Sequence, residues 1–337
     1  MGLAFWRKMA RCPDVNLKFP GCPGVNLNNP GPLANAQNFP VMAALHLLNA
    51  DEMLDIGLGV LKAETNQLAR RDLRLARFRS LYGSNPIVYS EIWEKFQTTT
   101  TEAAHIEKKN LVTKYFFMTL YFLKSYPTEH NLATFFGVDE KTVRRWTNFY
   151  ILKIQALKWE TIIWNLDDSD KDFIISIDGI HCSIEEPKHA TKTLDPKYYS
   201  HNTNKAGLAY EIALSLYEPK LVSIQGPFPA ATSDLSIFQN GIMRLIPAGK
   251  KVIADQGYNG EPHVVSTRNF LDSKQIREFK SRARARHETF NGRLKAFCIL
   301  KNFFRHKLEK HGPVFEAICV IVQYQLDHGG KLFDVYK

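Results

Sequence analysis

Apolar residues recur at three- and four-residue spacing through the first half of the chain, then at alternate positions or in short continuous runs through the second. The first pattern predicts helices and the second predicts strands. Helical spacing runs from Val41 to about Arg79, resumes beyond the Tyr82-Gly-Ser-Asn-Pro86 loop as far as Phe96, and returns from Leu111 to Ile154. The most apolar run, Tyr115 to Leu123, is far shorter than the roughly 20 residues a bilayer requires, so it reads as a buried helix. Thr128 caps a helix through Asn131 to Phe136, Gly137 ends it, and Asp139 caps a second helix that continues past Trp146. Leu132, Ala133, Phe136, Val138, Val143 and Trp146 surround Gly137 as a helix-turn-helix at about 128–150 requires. The exposed side of its second helix carries Lys141, Thr142, Arg144, Arg145 and Asn148, donors suited to phosphates and base edges. A hairpin that only packs is the plain alternative.

Beyond a polar linker at Leu166–Asp172, strands are expected at Phe173–Ile177, Ala209–Tyr217 and Leu221–Gln225, with a hairpin at Glu218-Pro-Lys220. Ser233 caps a helix to about Leu245, and Lys251–Asp255 is a short strand buried on both faces. A helix carrying Glu288 follows, and an apolar helix from Pro313 to Leu326 should cover the sheet. Three strands, a helix, a strand and a helix is the order of an α/β, ribonuclease-H-like core, a mixed sheet flanked by helices. The expected organisation is a disordered leader at 1–40, a helical region at 41–165 and a catalytic domain at 170–337. The leader holds a short repeat, Cys-Pro-Asp-Val-Asn-Leu then Cys-Pro-Gly-Val-Asn-Leu, within residues 12–31.

Composition narrows the chemistry. The chain has 337 residues, 45% hydrophobic and 23% charged, enough for a sizeable core. Lys and Arg number 44 against 34 Asp and Glu, a formal charge of +10 that favours an anionic partner such as nucleic acid or a membrane surface, with plain solubility charge as the alternative. Five widely spaced cysteines suggest neither a disulfide framework nor a zinc site. The apolar start is too short for a signal peptide, and no membrane association is expected. No phosphate-binding Gly-rich loop with Lys-Ser/Thr, Gly-x-Ser-x-Gly elbow or His-Glu-x-x-His is present.

What remains is acidic. Asp178 and Asp255 stand at the ends of expected strands that lie side by side, and Glu288 sits in a basic segment with Arg282, Arg284, Arg286, Arg293 and Lys295. Three crowded carboxylates repel one another unless hard cations neutralise them, and two such ions suit phosphodiester hydrolysis and strand transfer. Gly179 and Gly257 fit a backbone that turns sharply beside a substrate. Each acid singly has a plainer reading, a turn former, a cap or an ion-pair partner. Asp234 competes for the site, although the first turn of a helix accounts for it by capping and dipole. His181 and Cys182 are read as packing or supporting residues.

From about Phe78 onward the chain resembles DDE-superfamily transposases of the PIF/Harbinger type and their bacterial insertion-sequence relatives. The resemblance rests on Leu132–Trp146, Ser176-Ile-Asp-Gly-Ile-His181, Tyr199-Ser-His201, Gly226-Pro-Phe-Pro229 with Asp234-Leu-Ser-Ile-Phe238, Ala254-Asp-Gln-Gly-Tyr258 and Arg284–Lys295. It implies a ribonuclease-H-like core using Mg²⁺ or Mn²⁺, with Asp178, Asp255 and Glu288 as catalytic, metal-holding residues. Glu288 follows Asp255 by 33 residues, close to that family's usual interval. Arg284, Glu288 and Lys295 keep the insertion-sequence spacing, and Ser281 stands where those relatives carry Tyr. The implied activity is a DNA transposase or endonuclease cutting transposon ends; the alternative is a domesticated or inactive relative that only binds DNA. A cellular ribonuclease-H-like nuclease is a further possibility. The implied DNA contacts are Lys141, Thr142, Arg144, Arg145, Arg284, Arg293 and Lys295. Double-stranded DNA is the implied partner, with a homo-oligomer and a Myb-like accessory protein as further ones. The location implied is the nucleus, or the cytoplasm and nucleoid in a bacterium.

Overall fold

Asn49 opens the first helix, α1 (Ala50–Val60), with a reciprocal cap. Its side chain accepts from the Asp51 and Glu52 amides at 2.9 and 3.0 Å, and the Glu52 carboxylate accepts from the Asn49 amide at 2.8 Å. The computed structural model describes residues 47–62, 70–98, 111–166, 170–185, 187, 195–201, 203–266 and 272–335. The repeat at 12–31, the rest of the leader and the expected helix start at Val41 lie outside these residues. α2 (Arg71–Tyr82) stops at Gly83, whose φ of 86° is open to a residue without a Cβ. Its Arg71 and Arg74 pair with Asp51 and Asp55 of α1, both at 2.6 Å. α3 (Pro86–Thr98) and α4 (Thr113–Ser125) follow. Phe78, Tyr82, Tyr89, Trp93, Phe96, Phe116, Phe117 and Tyr150 bury their rings together as the centre of this helical part.

The two caps expected from sequence are present. Thr128 accepts from the Asn131 amide at 3.2 Å to start α5 (Glu129–Phe136), and Asp139 accepts from the Thr142 amide at 2.8 Å to start α6 (Glu140–Ala156). Gly137 between them adopts φ 59°. A short helix, α7 (Lys158–Thr161), leads toward the sheet.

β1 (Phe173–Ser183) is the central strand and is longer than expected. Asp178-Gly179 reads locally as a turn, yet pairing with the next long strand carries β1 straight through both residues, so Asp178 lies in mid-strand. β2 (Tyr199–Ser200) is brief; β3 (Lys205–Ser215) pairs antiparallel with β1, matching Asp178 to Ile212 and Gly179 to Glu211. β4 (Leu221–Pro229) lines the other edge of β3. After α8 (Asp234–Asn240), β5 (Lys251–Ala254) pairs parallel with β1, and β6 (Val264–Ser266) pairs parallel with β5. The order β2-β3-β1-β5-β6, with β4 also on β3, is a mixed sheet consistent with a ribonuclease-H-like core. β2 and β6 are too short for an alternating pattern to announce them.

α9 (Lys274–Lys295) crosses the sheet, α10 (Cys298–Lys301) turns the chain, and α11 (His311–Asp327) is buried almost throughout. α11 does more than cover the sheet as expected. Its Gln323 accepts the Leu221 amide of β4 at 2.7 Å, and its Glu316 binds Lys158 and Gln155 of the helical part, both at 2.7 Å. The apolar core is accordingly shared between the helices and the sheet. Among the described residues no helix is long and apolar enough to cross a membrane.

Candidate active site

The parallel pairing of β1 with β5 matches Ser176 to Ile253. Two residues further on, Asp178 in β1 is therefore level with Asp255, the residue just past the end of β5, on chains that run roughly 4.8 Å apart within the sheet. Asp255 follows the strand directly and caps the next turn, accepting the Gly257 amide at 2.8 Å. Asp178 accepts the Gly179 amide at 3.0 Å on one oxygen and the Asn291 side-chain amide of α9 at 2.9 Å on the other.

Asp234 joins them. It opens α8 behind the Ser233 cap, as sequence indicated, but its carboxylate also faces the acids. A Cβ added to Gly257 would come within 2.9 Å of Asp234 Oδ2 and 3.1 Å of Asp255 Oδ1, and one on Gly179 would come within 3.1 Å of Asp234 Oδ1. Both glycines were expected to turn the backbone sharply. Neither has positive φ; what each supplies is room for carboxylates to approach the main chain. A local reading of the helix start explains an acid at 234 and gives no sign of this tertiary approach.

The electrostatics follow from crowding. Burial first, then the charge of Asp255, raises the Asp178 carboxyl from 3.8 to about 6; Asp234 adds to the rise, while the Gly179 amide and Arg284 oppose it. Burial and Asp255 likewise raise Asp234. Beneath them Glu211 pairs with Gly179 across β1 and β3 and so shares its face. Burial raises this carboxyl from 4.5 to about 8, with Asp234 contributing and Tyr258 opposing. Tyr258 is the polar group facing it, although neither side chain completes a hydrogen bond of ordinary geometry. Such a cluster holds its negative charge reluctantly.

Glu288 is placed differently. It lies on α9, three residues before Asn291, exposed and paired with Arg284 at 3.1 Å. Arg284 in turn stands close enough for its charge to act on Asp178. The structure thus brings Asp234 and Asp255 to Gly257, sets Asp178 within reach of both charges, and holds Glu288 one helical turn from the residue that touches Asp178. Among the described residues no three acidic, His or Cys side chains close into a metal cage. The donors available are all hard carboxylate oxygens and fit Mg²⁺ or Mn²⁺, with Asp178 in β1, Asp255 just past β5, Asp234 at the start of α8 and Glu288 on α9. His181 packs against Gly207, in keeping with the packing role expected for it.

Four basic residues of α9 are committed to main-chain carbonyls. Arg282 donates to Asp334 at 2.7 Å, and Arg286, buried, donates to Ser215 and Glu218 at 2.5 Å each. Arg293 donates to Gly330 and Lys331, and Lys295 donates to His181 and Leu300. On α6, Lys141, Arg144, Arg145 and Asn148 are exposed. Arg144 meets Glu129 at 2.9 Å, Arg145 stacks over Trp146, and the Thr142 hydroxyl donates to Asp139 at 2.9 Å.

Residues 177–323, which contain every acid of this cluster, match the family model described as DDE superfamily endonuclease. No curated protein and no solved structure matches the chain. The match spans less than half of the chain and supports a DDE-type endonuclease domain in this segment.

Proposed function

We propose that the protein is a DDE transposase of the PIF/Harbinger type that binds transposon-end DNA, hydrolyses a phosphodiester and transfers the freed strand. The observation that carries this reading is the register of the adjacent parallel strands β1 and β5, which sets Asp178 level with Asp255 just past β5, with Asp234 against Gly179 and Gly257, inside the segment matching the endonuclease model. Asp178 and Asp255 would hold a divalent cation, with Asp234 and Glu288, the latter paired with Arg284 in the structure, as the further carboxylates that would complete its ligands. A bound Mg²⁺ or Mn²⁺ supplies Lewis acidity at the phosphate and lowers the pKa of the attacking hydroxyl. Arg284, released from Glu288, meets the scissile strand's phosphates, while Arg293 and Lys295 act through their charge from positions bound to carbonyls. Lys141, Thr142, Arg144 and Arg145 on α6 hold the duplex, with Asn148 beside them. A homo-oligomer, a Myb-like partner and action in the nucleus belong to the same proposal and rest on the resemblance of the motifs.

Incubation of the purified protein with duplex DNA carrying its element ends tests this. The wild type should nick the DNA with Mg²⁺, and Asp255→Asn should leave it intact while still shifting it in a gel. Equal absence of nicking in both would remove the enzymatic claim and leave a DNA-binding protein.

A further inference from the structure

We infer that Asn291 is a positioning residue for the cation site: it fixes the Asp178 carboxylate without neutralising it. The inference rests on the reading of Asp178 as a cation-holding residue.

Asp178 is oriented from two sides, by the Gly179 amide on one oxygen at 3.0 Å and by Asn291 Nδ2 on the other at 2.9 Å. Both donors are neutral. Each carboxylate oxygen has a second lone pair, so both remain able to bind a cation while the plane of the group is held. A Lys or Arg in place of Asn291 would orient the group equally well and cancel its charge. The nearby cation that could do so, Arg284, is occupied by Glu288 at 3.1 Å.

The Asn291 amide has one use for its donor and none for its acceptor. Its Oδ1 is shut off from solvent and has no partner. A buried acceptor without a donor costs stability, on the order of 1–3 kcal/mol, and an apolar side chain would avoid that cost. Turning the amide over would set Oδ1 against the carboxylate, so the orientation is dictated by Asp178. One turn earlier on the same helix, His287 Nδ1 meets Ser176 Oγ at 3.1 Å. Ser176 and Asp178 share a face of β1, so these two polar contacts, four residues apart on α9, fix the helix in register on the strand. The same register sets where Glu288 stands. Asn291 therefore ties the first acid to the helix that carries the last one.

Mn²⁺ binding by the full-length protein without DNA, followed by calorimetry and by electron paramagnetic resonance of the free ion, tests this. Asn291→Leu and Asn291→Ala remove the donor with and without the bulk. Groups that orient metal ligands typically contribute about 10- to 100-fold in affinity, and each variant should weaken Mn²⁺ binding by at least roughly tenfold. Asn291→His, which keeps a donor at similar reach, should stay within about threefold of wild type at pH 8. Asn291→Lys, which keeps the donor and adds charge, should bind weakest. Thermal melting identifies which variants are folded, and two of each kind keep the comparison available. A Leu or Ala variant that is folded and binds Mn²⁺ as wild type does, or a Lys variant that binds as the His variant does, overturns the inference while the cation site stands. Wild-type protein that binds no Mn²⁺, or binding unchanged in Asp178→Asn, overturns the cation site and the inference with it.

Discussion

At the scale of single residues, the site depends on atoms that are missing as much as on acids that are present. Gly257→Ala would place a methyl 2.9 Å from Asp234 and 3.1 Å from Asp255, so the carboxylates must move aside. A misplacement of that order can cost about 100-fold in rate. Cleavage in the alanine variant should fall by roughly that factor with gel-shift affinity unchanged; wild-type cleavage would show that the two carboxylates do not share that space. Glu288 and Arg284 give a second comparison. Glu288→Gln should abolish cleavage and spare DNA binding, whereas Arg284→Ala should weaken both. Sequence alone groups Asp178, Asp255 and Glu288 and names Asp234 only as a competitor for the site. Its acidity was already accounted for by the helix start, and no local pattern records which way a first-turn side chain faces.

At the scale of elements, what is local was legible and what is long-range was not. The caps at Thr128 and Asp139 and the left-handed Gly137 follow from contacts within three residues, and they stand where the sequence indicates. The basic face of α9 reads from sequence as a single surface for phosphates, but its partners lie far along the chain: Arg286 holds the β3–β4 connection, Arg293 the C-terminal segment and Lys295 the end of β1. Arg286→Ala leaves the Ser215 and Glu218 carbonyls without their donor. Each buried unsatisfied group costs about 1–3 kcal/mol, so urea unfolding should show a loss of roughly 2–6 kcal/mol. A change below about 0.5 kcal/mol would mean that water replaces the guanidinium. On α6 the exposed Arg145 makes the corresponding binding prediction. Arg145→Ala should weaken DNA binding and reduce the salt dependence of log K by about one, and an unchanged slope would remove it from the phosphate contacts.

At the scale of the whole molecule, the acid cluster sets how stability responds to pH and to cations. The Asp178 carboxyl rises from 3.8 to about 6 and Glu211 from 4.5 to about 8 on folding. Between those limits the native state binds more protons than the unfolded state, so these two groups lose stability as pH rises from about 4 to 8. A divalent cation relieves the repulsion only where Asp178 is ionised. Mn²⁺ should therefore raise the melting temperature more at pH 8 than at pH 5, and Asp178→Asn should flatten both responses. The mixed sheet was legible as a fold class from alternating and continuous apolar runs, while the length of β1 was not. Asp178-Gly179 reads as a turn until β3 is available to pair across it.

The central claim is that Asp178, Asp234 and Asp255 surround one place for a divalent cation. Anomalous diffraction at the manganese edge, from crystals of the protein with element-end DNA and Mn²⁺, tests it most directly. The account predicts a peak bounded by the carboxylates of Asp178, Asp234 and Asp255, with Asn291 still donating to Asp178 and Glu288 turned away from Arg284. Manganese found elsewhere, with Asp178 and Asp255 free of it while DNA is bound, would contradict it.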